Sequence, residues 1–104
     1  MSHFDPHHKW LGIHPDDRPI DCYKLFGIER FEADVDVIHS AADRQMDFIR
    51  KHADGEYSDI AQRLLNELGK ARYQLVDQER KAKYDHKLKK LAAKEITKPA
   101  TSRN

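Results

Sequence analysis

One cysteine, Cys22, stands in 104 residues, so no disulfide can form within the chain, and a lone thiol fits a reducing compartment. Four glycines and four prolines are too few for the turns of a many-stranded fold, and no stretch alternates polar and apolar residues for long. No apolar run is long enough for a signal peptide or a membrane span, so a cytoplasmic protein with no membrane partner is expected. Neither charge dominates. Nineteen Lys and Arg face eighteen Asp and Glu, a net charge of +1, so the chain as a whole is not an electrostatic binder. A Gly-rich phosphate loop, a nucleophile elbow, HExxH and CxxC are all missing, so no enzymatic activity, catalytic residue or cofactor is expected. What remains is a single domain with 36% charged and 38% hydrophobic residues, the balance of a small, all-α protein.

The most ordered stretch runs from Leu64 to Asp85. Leu64, Leu65, Leu68, Ala71, Arg72 and Leu75 recur at the spacing of one helical face, with the stem of Arg72 able to lie along apolar surface. Asp77 then breaks the pattern and can cap a new helix, and Gln78 and Glu79 follow in its first turn. This predicts a long buried helix, a corner, and a basic last helix from Gln78 to about Lys94.

The run ARYQLVDQERKAKYD resembles the end of a J-domain, the DnaJ-like co-chaperone module. That family carries A-Y-x-x-L-x-D at the end of one helix and K-R-x-x-Y-D at the start of the next. Ala71, Leu75, Asp77, Arg80, Lys81, Tyr84 and Asp85 fall in that register. Upstream, Asp21-Cys22-Tyr23-Lys24-Leu25-Phe26-Gly27-Ile28 is similar to the family's opening D-Y-Y-x-x-L-G-V. A looser likeness, carried by Lys9-Trp10-Leu11-Gly12-Ile13, Phe31-Glu32 and Ala41-Ala42-Asp43-Arg44-Gln45-Met46, links the chain to planctomycete-type N-terminal domains that precede varied partner domains. The resemblance implies a four-helix module over residues 21–94; the prolines of residues 1–20 predict an irregular arm, and residues 95–104, with Pro, Ser and Thr and no periodicity, read as a linker or disordered tail that suggests a piece of a larger protein.

Within that frame, Cys22 to Ile28 is expected as a short first helix stopped by Gly27, with Tyr23 packed against later helices. Phe31 is expected as a buried anchor in the next connection. Asp34 should cap a second helix to about Lys51, striped by Ile38, Ala41, Ala42, Gln45, Met46 and Ile49 and broadened by Phe48. Ser58 should cap the third, to Val76. At ~1.5 Å per residue the two long helices are each about 25 Å and should form an antiparallel hairpin. Gly69 inside the third costs roughly 1 kcal/mol relative to alanine, and close approach of a neighbouring helix would explain it. The expected core is Tyr23, Leu25, Ile38, Ala42, Ile49, Leu65, Leu68, Leu75 and Tyr84.

The arm holds Pro6, Pro15 and Pro19, which argue against a helix there. Its Trp10, Leu11 and Ile13 either fold back on the core as a strap or offer a docking surface. His7, His8 and His14 lack a fourth ligand and a rigid support, so no metal site is expected. His14-Pro15-Asp16 spells the family's activating tripeptide, but it lies before the first helix rather than after the second, and reads as a turn. The loop where the family keeps that tripeptide holds Arg50, Lys51, His52, Ala53 and Asp54 instead. Alanine replaces the rigid proline, and His52 falls about two residues late, so His52 and Asp54 read as helix terminators with Gly55 as C-cap.

Asp36, Asp43 and Asp47 nearly balance Arg44, Arg50 and Lys51 on the second helix, where active family members are strongly basic. The expectation is therefore a non-catalytic protein-interaction module. Its candidate partner-binding residues are His52, Ala53, Asp54, Arg44, Arg50, Lys51, Trp10 and Leu11. An active co-chaperone, stimulating a heat-shock chaperone ATPase through His52 and Asp54, is the alternative. Arg80, Lys81, Lys83, Lys87 and Lys90 form a basic patch that could meet nucleic acid or another acidic surface. The chain has no interleaved exposed aromatics there for base stacking, so a solvated face is the expected reading.

Overall fold

The computed structural model describes residues 4–97, with side-chain surroundings as far as Lys94. Five helices follow in order: α1 (Pro6–Lys9), α2 (Cys22–Phe26), α3 (Val35–Arg50), α4 (Ser58–Val76) and α5 (Gln78–Thr97). A single 3₁₀ turn, Gly55–Tyr57, lies between α3 and α4, and no strand occurs among the described residues. The protein is all-α.

Short carboxylates set most of the helix starts. Asp21 accepts from the Lys24 N–H at 2.8 Å, Asp34 from the Asp36 N–H at 2.9 Å, and Asp77 from the Arg80 N–H at 2.9 Å. Two starts differ from expectation. Asp5 and Pro6 begin α1 inside the arm, because a proline at the first helical position gives up an N–H that has no partner in any case. Ser58 does not cap α4: it is the first helical residue, and its N–H donates to the Gly55 carbonyl, so the 3₁₀ turn feeds directly into the helix.

The ends differ as well. α2 stops at Phe26 rather than Ile28, because Gly27 takes the left-handed conformation at φ 72°. α3 ends at Arg50 with Lys51 as C-cap, and Gly55, at φ 71°, opens the 3₁₀ turn instead of capping α3. α5 continues to Thr97, three residues beyond its expected end at Lys94, and the remaining tail residues, 98–104, lie outside the described residues.

α3 and α4 form the antiparallel hairpin. Asp43 meets Arg72 at 2.6 Å, and one turn further along α3 the methyl of Met46 lies beside Gly69, one turn back along α4. α2 packs across both, and Tyr23, Phe26, Ile38, Ile49, Leu68 and Leu75 are the largest fully buried side chains. Leu65 and Tyr84, expected in the core, are only half-buried at its margin, while Phe26, Leu64 and Ala61 are buried in it. Phe48 points outward at 40% exposure.

The end of the hairpin nearest α5 is held by polar bonds. The Tyr23 hydroxyl donates to Asp85, which also receives Lys81 Nζ at 2.8 Å. The Tyr84 hydroxyl accepts from the Cys22 N–H at 2.8 Å, and Asp21 pairs with Arg30 at 2.8 Å. Burial, and then the hydrogen bond to the Asp85 carboxylate, push the Tyr23 phenol well above its ordinary pKa. Burial does the same for Tyr84 and for the Cys22 thiol.

Candidate functional site

The other end of the hairpin is built differently. At the last turn of α3, the His52 and Ala53 N–H groups donate to the Ile49 and Arg50 carbonyls at 2.8 and 3.1 Å, which closes the helix and turns the chain. His52 Nδ1 lies 3.0 Å from the Phe48 carbonyl oxygen, and its ring sits 4.8 Å from the Phe48 ring. The spacing of four residues puts these two side chains on one helical face.

The arm arrives on the same ring. α1 and the turn after it carry Trp10 to 4.9 Å from the His52 imidazole. Phe4 packs edge-on to Trp10 at 4.9 Å and stacks on Tyr57 of the 3₁₀ turn at 4.4 Å. Ring pairs at these separations stabilise beyond simple burial. Ile13 is buried, and Trp10 and Leu11 pack half-buried on the core, so the arm is a strap. Two polar contacts tie it to the helices: His7 Nε2 lies 2.9 Å from Glu67 Oε1 of α4, and Lys24 Nζ of α2 donates to the Asp17 carbonyl at 3.0 Å, while Arg18 pairs with Asp5 at 3.0 Å within the arm.

The structure therefore joins some of the predicted site residues and separates others. Trp10 and His52 are in contact, and Ala53 packs half-buried against the core beneath them. Asp54 is exposed, and its side chain makes no capping bond to the turn it precedes. Arg44, Arg50 and Lys51 are exposed on α3 or its cap, and Arg50 is tied to Asp47 at 2.6 Å. Leu11 packs half-buried against the core. His14-Pro15-Asp16 is an exposed turn, in which the Asp16 and Asp17 N–H groups donate to His14 Nδ1 and its carbonyl at 3.0 and 2.8 Å. Phe4, Phe48 and Tyr57 belong to the ring cluster and were not singled out for it from sequence. Only Phe48 carried a local signal, its spacing to His52.

The basic patch divides in two. Arg80 lies with its guanidinium 3.5 Å over the Tyr73 ring and donates to the Tyr73 carbonyl at 3.1 Å, and Lys81 is paired with Asp85. Lys83, Lys87 and Lys90 stay exposed at helical spacing on one side of α5. Among the described residues no group of three or more His, Cys, Asp or Glu could hold a metal ion, and no helix is long and apolar enough to cross a membrane. Compared with protein-family models, curated proteins and solved structures, the chain matches none.

Proposed function

We propose that this chain is a non-catalytic protein-interaction module, a J-domain-like unit of a larger cytoplasmic protein or assembly in which the activating loop has become a binding tip. The contact of Trp10 with His52 carries this reading. In the family the chain resembles, the loop histidine is presented to the chaperone ATPase. Here the imidazole packs against both the Trp10 and Phe48 rings, and Ala53 replaces the proline that would stiffen the loop.

Charge supports the same reading. Asp43 is bridged to Arg72 and Asp47 to Arg50, so α3 offers little net positive field to draw in an acidic ATPase surface. The tip instead presents rings and half-buried apolar side chains, which are the usual anchors of a protein contact.

Steady-state ATP hydrolysis by a heat-shock chaperone, with and without the folded chain, tests the proposal. No stimulation is expected from the natural sequence. Stimulation that disappears on His52→Ala or Asp54→Ala would make the chain a co-chaperone and overturn the reading. An Ala53→Pro variant shows how far the missing proline accounts for the silence.

A further inference from the structure

From Ala53 at the tip, an open groove of about 1020 Å³ runs between α3 and α4 toward Tyr73. Met46, Ala53, Leu65 and Gly69 form its apolar part, and Arg50 and Lys70 stand over it. No acidic residue lines it, and Lys70 makes no ion pair among the described residues. Arg50 shares its charge with Asp47 at 2.6 Å. Tyr73, at 59% exposure the most exposed large hydrophobic side chain among the described residues, marks the far end.

Gly69 is the informative residue. It lies inside α4, its backbone is not in the left-handed region, and a Cβ there would meet only the methyl of Met46 at 3.8 Å, an ordinary contact. Neither backbone geometry nor a neighbouring helix therefore calls for glycine, although glycine weakens a helix. What its missing side chain does accomplish is to leave the groove open at its middle, where another backbone can approach closely.

Resting on the reading of the chain as an interaction module, we infer that this groove takes an acidic amphipathic helix from a partner protein. The apolar stripe of that helix lies on Met46 and Leu65, its backbone passes over Gly69, and its carboxylates face Lys70 and Arg50. Lys70, with no ion pair among the described residues and no carboxylate among the lining residues, sets the sign of the partner, and the apolar floor makes it a protein rather than a polyanion.

Selection of displayed random peptides of about 16 residues, which as helices reach about 24 Å, tests this on the full chain. The selected peptides should be rich in Asp and Glu with apolar residues three and four apart. Their Kd should rise at least ~10-fold on Gly69→Glu and several-fold on Lys70→Glu, since each sets a carboxylate against the peptide's own. Gly69→Glu should keep the Tm of the natural chain or raise it, which separates lost binding from lost folding. Peptides with no acidic bias, binding unchanged in Gly69→Glu, or no selected peptide at all would overturn the groove. Peptides that lose binding on Trp10→Ala but not on Gly69→Glu would overturn the groove and leave the module reading standing. Self-association of the chain that Gly69→Glu abolishes would make the occupant a second copy and overturn the partner helix.

Discussion

The two ends of the α3–α4 hairpin are fastened by different chemistry. At the α5 end, hydroxyls and charges meet in fixed pairs: Tyr23 with Asp85, Lys81 with Asp85, and Tyr84 with the Cys22 backbone. At the tip, rings lie against rings, with Trp10, Phe48 and Tyr57 around His52 and Phe4. Hydrogen bonds are directional and costly to leave half-made, so the first end specifies one arrangement of the last helix. Ring contacts are less directional and can be exchanged for a partner's side chains, which suits the second end to binding.

The largest expected effect removes what both ends share. Leu68 is fully buried between them, and Leu68→Ala should cost roughly 2–5 kcal/mol on chemical denaturation; a much smaller loss would mean that the hairpin core is not where the fold keeps its stability. At the α5 end, Asp85→Ala leaves the Tyr23 hydroxyl and the Lys81 ammonium without their acceptor and should cost about 2–3 kcal/mol. Trp10→Ala, at the tip, should cost less, about 1–2 kcal/mol, because Trp10 is only half-buried. If Trp10→Ala proved costlier than Asp85→Ala, the contrast between the two ends would be reversed.

Alkaline pH probes the polar end alone. Tyr23 and Tyr84 have pKa values raised by folding, so above roughly pH 10 the unfolded chain releases phenolic protons that the folded chain retains. Their contribution is complete below the unfolded value and declines as pH rises past it, with Cys22 adding to the fall in the same direction. Denaturation midpoints should therefore drop steeply from about pH 9–10 upward, and Tyr23→Phe or Tyr84→Phe should flatten the drop while Trp10→Ala leaves it in place. The smallest change goes the other way. Gly69→Ala should stabilise by about 0.5–1 kcal/mol, since α4 gains helix propensity and the methyl meets only Met46.

The same contrast governs what could be read from the sequence. Asp34 and Asp77 announce helix starts through bonds two or three residues away, so α3 and α5 begin where their carboxylates predict, and α2 begins at the expected Cys22 on the Asp21 carboxylate. The 3.6-residue stripe likewise places Leu68 and Leu75 in the core. Leu65 sits on the same stripe, yet it faces the groove, because periodicity gives a face and not which part of that face a neighbour covers. At Gly69 the expected close approach of a neighbouring helix is missing, since even an added Cβ would meet only the Met46 methyl, at 3.8 Å.

The tip was legible only in part. Its place after the second helix marks the loop and an apolar cluster marks Trp10, but the contact between Trp10 and His52 joins positions 42 residues apart and has no local signature. Phe4 and Tyr57 entered for the same reason, through tertiary packing that no short pattern encodes. The one-turn helix α1 was obscured by its own proline, which reads as a breaker unless Asp5 is taken with it as a cap.

Arm and loop form one surface through the Trp10–His52 contact. Nuclear Overhauser contacts between the Trp10 indole and the His52 ring, measured in the folded full chain, test it directly. Their presence, together with contacts from Phe4 to Tyr57, is the predicted result. Their absence from a protein whose Tyr23 and Leu68 contacts are intact would detach the arm from the tip and contradict the account.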